Sequence, residues 1–149
     1  MGVAILISNK IDFKLKLVKR DEEVHFIFIT GKVHQDEVSI LSIYAPNTST
    51  PSFVKETLLK PKLHFKPLTL IVGDFNRPLS PLDRSVRQKI NREIKELTDV
   101  MTQMDLTDIF RTFHPNTQKR KNSQQVMQLS LKLTIYLVTK QINRSKNLE

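Results

Sequence analysis

Residues 68–76, with the sequence LTLIVGDFN, constrain the fold of this chain more than any other segment. The apolar and β-branched run that opens the segment is typical of a strand covered on both faces of a sheet. The run ends at Gly73, and Asp74 and Asn76 follow with one residue between them. Because residues i and i+2 of an extended chain project to the same side, the carboxylate and the amide are expected to face one pocket. The segment therefore predicts a buried strand that ends in polar, reactive groups.

Strand patterns dominate the residues before this segment. They are expected at residues 3–7, 13–18, 24–30 and 38–44. The first run is apolar throughout and is expected to be covered on both faces, while the last two are rich in β-branched and aromatic residues. In the second run Phe13, Leu15 and Leu17 alternate with lysines, which predicts a half-buried strand. Residues 31–36 fit a hairpin loop between the last two strands.

Two helices are predicted among and after the strands. The first begins at Thr50, where a threonine cap precedes a proline at the first helical position, and it ends before Pro61. The second begins at Ser85, which has capping-box spacing to Gln88. Its apolar residues recur every three to four positions, at Val86, Ile90, Ile94, Leu97, Met101 and Met104. Strands with interspersed helices predict a layered α/β domain.

Length and composition indicate one soluble domain. A chain of 149 residues buries about 68–70% of its unfolded surface on folding. Because the chain has no cysteine, disulfides and thiolate metal sites are excluded. No apolar run approaches the roughly 20 residues of a membrane span, and no signal-peptide pattern opens the chain. We therefore expect an intracellular protein, nuclear or cytoplasmic, that is not secreted and has no membrane partner.

The net charge of +9 lies mostly near the end of the sequence. Residues 117–149 carry seven basic side chains against one acid, Glu149, and so hold about two-thirds of the net charge. A basic balance of this size is typical of proteins that contact nucleic acids. Its concentration in so short a segment favours a separate basic tail over a charged domain surface.

Four polar side chains near strand or helix ends are candidates for phosphate chemistry. An ionised Asp74 can orient a water molecule for attack, while the Asn76 amide can donate to a phosphate oxygen. Tyr44, at the end of its own strand, can offer a phenolic donor to the same phosphate. Arg84, just before a helix, can contact a nucleic-acid backbone. The simpler interpretation of Asp74 and Asn76 is a turn at a strand end. In the same terms, Tyr44 is a half-buried strand aromatic and Arg84 is a solvated residue at a helix start.

Four linked motifs resemble the endonuclease domain of the mammalian long-interspersed-element (LINE) retrotransposon polyprotein. They are residues 44–47 (YAPN), 73–76 (GDFN), 82–85 (LDRS) and 105–115 (DLTDIFRTFHP), in the family's order. The resemblance runs from Gly2 to about Gln118. This family belongs to the exonuclease–endonuclease–phosphatase superfamily, so the resemblance implies a two-sheet α/β sandwich, here incomplete.

The resemblance also implies a role for each candidate residue. Asp74 matches the aspartate that orients the attacking water, and Asn76 and Tyr44 match phosphate-contacting groups. Asn47 and Arg84 match positions near the DNA-binding rim. Enzymes of this family nick DNA with a divalent metal, usually magnesium, which stabilises the charged transition state of phosphoryl transfer.

The same resemblance implies that the site is incomplete. The family's metal is held chiefly by a Glu, assisted by an Asn, on strands that precede the part retained here, so no metal ligand is expected in this chain. A second catalytic Asp and a Ser-Asp-His motif are expected after residue 118. Instead, no acid occurs between Asp108 and Glu149, and the last histidine is His114. We expect a partial, catalytically defective domain over residues 1–118 that binds DNA weakly.

Residues 119–149 fit an out-of-frame reading of the same gene. One permitted codon choice for residues 128–140, read from its third base, yields TFSKIDHILGHK, which resembles the family segment around its second catalytic aspartate. Adenine-rich DNA read off frame also yields an excess of Lys, Asn and Gln, as this tail shows. The tail is therefore expected to be a basic and poorly ordered segment.

Two alternatives to a defective nuclease stay open on the sequence. One is a basic fragment that binds nucleic acid nonspecifically, with an affinity that falls steeply with salt. The other is a translated retroelement remnant without a selected function, in which uncovered sheet edges and apolar faces lower the stability.

Overall fold

The computed structural model describes residues 3–46, 50–75, 92–109, 112, 115–116 and 125–128. Within these ranges six strands form one mixed sheet in the order β1-β2-β3-β4-β6-β5. The strands are β1 Phe13–Arg20, β2 Phe26–Val33, β3 Asp36–Tyr44, β4 Leu68–Asp74, β5 Thr107–Asp108 and β6 Gln125–Gln128. The helices are α1 Thr50–Leu59 and α2 Arg92–Gln103, and a short 3-10 turn covers Lys62–His64. Neither described helix has the length and hydrophobicity that crossing a membrane requires.

The connection between β3 and β4 determines the geometry of the sheet. β1, β2 and β3 form an antiparallel meander, with a tight turn at His34 and Gln35. β4 instead pairs parallel to β3, because α1 and the 3-10 turn carry the chain back to the end at which β3 began. α1 begins at Thr50, the residue at which the sequence predicts the start of this helix.

Two apolar clusters lie on opposite faces of the sheet. The larger one packs α1 and α2 against what we call the helix face, and its fully buried members include Phe28, Leu41, Leu58 and Leu97. The smaller one contains Ile29, Val38, Ile40 and Leu68, with partly buried residues of β1 and of residues 3–12 around it. Because side chains alternate along a strand, these residues define the opposite face.

β1 departs from strict alternation at one position. Its register to β2 shifts between Leu15 and Leu17, which marks a β-bulge. Phe13 consequently packs against the smaller cluster and Leu17 against the larger one. The prediction of one shared apolar face for Phe13, Leu15 and Leu17 is wrong, because the bulge inserts a residue and reverses the alternation. Leu15 is left 57% exposed on the opposite face.

Residues 3–7 do not form the ladder strand that their apolar run predicts. Leu6 makes a single bridge and is exposed. The Val3 N–H donates a hydrogen bond to the Val24 carbonyl at 3.2 Å. Ile5 and Ile7 pack against the smaller cluster through their side chains. A short apolar run does not distinguish a ladder strand from an extended segment that packs in this way.

The other predicted elements are found with altered bounds. β2 begins at Phe26, later than expected, and includes Gly31 and Lys32, so the predicted loop over residues 31–36 is shorter. The predicted second helix is described only as α2, because Ser85 and its first turns lie outside the described residues. β6 lies in the predicted tail, and the division into residues 1–118 and 119–149 stays a prediction.

Candidate active-site edge

Tyr44 and Asp74 meet where β3 and β4 end. The two strands run parallel, and their register pairs Val38 with Leu68 and, at the other end, Tyr44 with Asp74. Both end residues are half-buried. Polar residues from two different strands thus lie side by side at the carboxyl ends of the sheet, and we call this place the strand-end edge.

Both side chains belong to the face opposite the helices. Because side chains alternate along a strand, Tyr44 lies on the same face of β3 as Val38 and Ile40 of the smaller cluster. Asp74 likewise lies on the same face of β4 as Leu68. Ile43, Ile71 and Phe75 alternate with them and pack under α1 and α2. The apolar neighbours therefore support the strands from the helix face and leave the phenol and the carboxylate on the other.

Backbone contacts hold the strand-end edge together. The Tyr44 N–H donates to the carbonyl of His25 at 2.7 Å, and the Ala45 N–H donates to the carbonyl of Asp74 at 2.9 Å. Gly73 lies so close to β3 that a Cβ atom there would overlap the Ile43 carbonyl. The glycine of the GDFN motif is thus required for the close approach of the two strands.

An Asp21–His25 pair lies next to this edge and was not predicted as part of it. The Asp21 carboxylate contacts His25 Nδ1 at 3.0 Å through one oxygen and accepts the Phe26 N–H at 3.0 Å through the other. The His25 ring packs edge-on against Phe53 of α1, with ring centroids 5.6 Å apart. The pair links β2 to α1 at the end of the sheet where Tyr44 lies. The sequence signal for it is the acid that precedes β2.

Three of the five predicted site residues lie outside the described part of the chain. These are Asn47, Asn76 and Arg84. Asn47 directly follows the described Pro46, and Asn76 directly follows Phe75, so both continue from the strand-end edge in sequence. The structure therefore brings together Tyr44 and Asp74, and the roles of all five residues stay predictions.

The described residues do not fit a magnesium site by themselves. Within residues 3–46, 50–75 and 92–109 and the short described stretches that follow, no three His, Cys, Asp or Glu residues are grouped so that they could hold a metal ion. Asp74 supplies a carboxylate at the strand-end edge.

The fold has relatives among solved structures, although no model of a protein family matches the chain. The endonuclease domain of TRAS1, a telomere-specific non-LTR retrotransposon, superposes with a TM-score of 0.52 at 14% identity, over 76% of this chain and 53% of that one. TDP2 from Caenorhabditis elegans superposes with a TM-score of 0.47 at 11% identity, over 85% of this chain and 47% of that one. Beta toxin from Staphylococcus aureus superposes with a TM-score of 0.47 at 12% identity, over 78% and 50%.

This chain therefore spans about half the length of the structures that it matches. The likeness to the TRAS1 endonuclease domain shows a nuclease-like fold with a mixed sheet.

Proposed function

We propose that this chain is the remnant of a divalent-metal-dependent DNA endonuclease of retrotransposon origin, similar to that of mammalian LINE elements. The observation that carries the proposal is the direct pairing of Tyr44 with Asp74 at the carboxyl ends of two parallel strands. Ligand sites of α/β sheets lie at such strand ends. The nuclease-like fold shared with the TRAS1 endonuclease domain supports the same assignment.

The proposed roles follow from the chemistry of each group. Asp74 accepts a hydrogen bond from the attacking water and orients it, while the Tyr44 phenol donates to a phosphate oxygen. Asn76 supplies a second donor to that phosphate. Asn47 and Arg84 contact the DNA backbone beside the site, where a guanidinium can bind a phosphate through two hydrogen bonds.

We place this chain in an incomplete two-sheet sandwich. Ile40, Leu70 and Val72 are buried although they project away from α1 and α2, which supports a second layer over that part of the opposite face. Leu15 and Val18, toward the β1 side of the same face, are 57% and 49% exposed. A second layer that covers only part of the face accounts for both observations.

The remnant is proposed to be inactive by itself. No carboxylate occurs between Asp108 and Glu149, the stretch in which the resembled family has its second catalytic aspartate. An edge without that carboxylate lacks part of the electrostatic stabilisation that dominates phosphoryl transfer. Residues 119–149 are proposed to be read out of frame, and the coding DNA decides this point, because the alternate frame must encode TFSKIDHILGHK.

Plasmid nicking tests the proposed inactivity. Supercoiled plasmid is incubated with magnesium and the wild-type chain, with Asp74→Ala, or with Asp36→Ala, which removes an exposed carboxylate at the far end of β3. We expect all three to leave the plasmid supercoiled, like buffer alone. Nicking by wild type and Asp36→Ala, with a loss of about 100-fold or more in Asp74→Ala, would contradict inactivity and show a working site. Equal nicking by all three proteins would count against any role of Asp74.

A further inference from the structure

Six lysines of β1, β2 and the segment after α1 contribute to a basic surface on the helix face of the sheet. They are Lys14, Lys16, Lys19, Lys32, Lys62 and Lys66, and we call them the lysine surface. β1 contributes three of them and β2 one, while the 3-10 turn and the residues after it contribute the remaining two. All six are exposed or half-buried.

Side-chain contacts connect these lysines across the elements. Glu37 of β3 binds Lys16 through one carboxylate oxygen at 3.1 Å and Lys66 through the other at 3.4 Å. Lys19 Nζ lies 2.8 Å from Nε2 of His64, which brings the 3-10 turn over β1. The hydroxyl of Ser39 accepts the Lys66 N–H at 2.9 Å, so the turn is tied to β3 as well. The contacts of Glu37, His64 and Ser39 therefore hold the 3-10 turn and Lys66 against β1 and β3.

The lysine surface carries more positive charge than its own contacts neutralise. Glu37 is shared by two of the six lysines. Lys14 lies directly opposite Lys32 in the register of β1 and β2. Like charges placed directly opposite each other on neighbouring strands are destabilising. The repulsion between Lys14 and Lys32 lowers the stability of the free protein, and a polyanion bound across the surface relieves it.

The lysine surface is separate from the strand-end edge. Lys32 pairs with Glu37 near the start of β3, whereas Tyr44 is the last residue of that strand. Seven residues of extended chain span about 23 Å, so the Lys14–Lys32 end of the surface lies far from the strand-end edge, whereas Lys19, which pairs with Phe28, lies nearer to it along the sheet. The lysines also project to the helix face, whereas Tyr44 and Asp74 project to the other face.

We infer that the lysine surface binds the phosphate backbone of nucleic acid, independently of the strand-end edge. Lysine ammonium groups bind phosphates as point charges, so the surface makes contacts that do not depend on base sequence. Phosphates of one strand of B-DNA recur about every 3.4 Å along the helix axis. The length of β1 from Lys14 to Lys19, about 16 Å, therefore spans several phosphates.

A charge-matched pair of variants tests this inference in the full-length chain. Lys14→Gln/Lys62→Gln removes two charges from the lysine surface, and Lys55→Gln/Lys95→Gln removes two exposed charges from α1 and α2. Fluorescence anisotropy measures binding to a labelled DNA duplex of about 20 base pairs in EDTA, so that cleavage cannot contribute. We expect the surface variant to raise the Kd about tenfold at low salt and to reduce the salt slope by about 1.8. The helix variant should change the Kd less than about twofold.

Thermal unfolding of the same variants gives a second readout. Removing Lys14 relieves the repulsion with Lys32, so the surface variant is expected to unfold at least at the wild-type temperature while it binds DNA more weakly. Equal weakening by both variants would show that only net charge matters and would overturn the inference. Unchanged DNA binding in the surface variant, as expected for an acidic protein partner, would overturn it too. Both double variants leave Tyr44 and Asp74 unchanged, so failure here is distinct from failure of the proposed nuclease origin.

Discussion

The carboxylate of Glu37 lies between Lys16 and Lys66, and these two lysines shift its pKa. Its hydrogen bond with Lys16, followed by the charge of Lys66, holds the pKa of Glu37 below its ordinary value of 4.5. Because the pKa is lowered on folding, the ionised carboxylate stabilises the fold above pH 4.5. That contribution is lost as the pH falls through the lowered pKa. The group is solvent-exposed, so the effect is small.

A double-mutant cycle between Glu37→Gln and Lys16→Gln measures this contribution. We expect a favourable coupling free energy at pH 7 that declines below pH 4.5 and is absent in strong acid, when unfolding is followed in urea. High salt should weaken the coupling at neutral pH as well. A coupling that stays constant from neutral to strongly acidic pH would rule out the ion pair as its source.

At the level of single elements, α1 contributes to stability through one buried stripe. Leu58 is fully buried in the larger cluster, whereas its neighbour Leu59 is 47% exposed. We expect Leu58→Ala to lower the free energy of unfolding by about 2–5 kcal/mol, because it removes packed methyl groups and leaves a cavity. Leu59→Ala is the matched control and should change it by less than about 0.5 kcal/mol. Equal effects in urea unfolding would show that α1 does not pack as described.

Local patterns predicted the elements well where pairing does not override them. The start of α1 and the apolar run of β4 lie where the sequence predicts them. The bulge between Leu15 and Leu17 was not predictable, because it is a feature of the register with the partner strand, where Gly31 faces Leu15. A Cβ atom on Gly31 would come within 2.5 Å of the Phe13 ring, so the glycine makes room for that ring. Residues 3–7 do not form the predicted strand for a related reason, since strand pairing depends on a partner strand that a local pattern does not specify.

The sequence singled out Tyr44 and Asp74 but not their pairing. Tyr44 and Asp74 stood out because each ends an apolar strand in a polar group. The sequence does not specify that they are register partners, because the register of a parallel pair is set by long-range packing of both faces. The lysine surface was missed for the same reason, since it is assembled from residues of several elements, whereas Asp21 and His25 lie in one loop.

For the whole molecule, the mixed sheet separates two kinds of surface. The strand-end edge lies at the carboxyl ends of β3 and β4 on one face, and the lysine surface lies on the helix face. The chain spans about half of the TRAS1 endonuclease domain. We therefore propose that one sheet has two independent properties, the loss of cleavage at the strand-end edge and the retention of DNA binding by the lysine surface.

Disulfide trapping tests most directly whether Tyr44 and Asp74 form one edge. The chain has no native cysteine, so an introduced pair reports only on itself. Paired residues on adjacent strands are about 4.8 Å apart, within the range that a disulfide bridges. The control Ser42→Cys/Asp74→Cys places the thiols on the same face but out of register, because Ser42 pairs with Val72.

After mild oxidation, closure is read by mass spectrometry as the loss of two hydrogens. Tyr44→Cys/Asp74→Cys is predicted to close rapidly within one molecule, while the control stays reduced or closes far more slowly. Faster closure of the control, or no closure of the Tyr44→Cys/Asp74→Cys pair in a folded protein, would contradict the parallel register from which the strand-end edge is inferred.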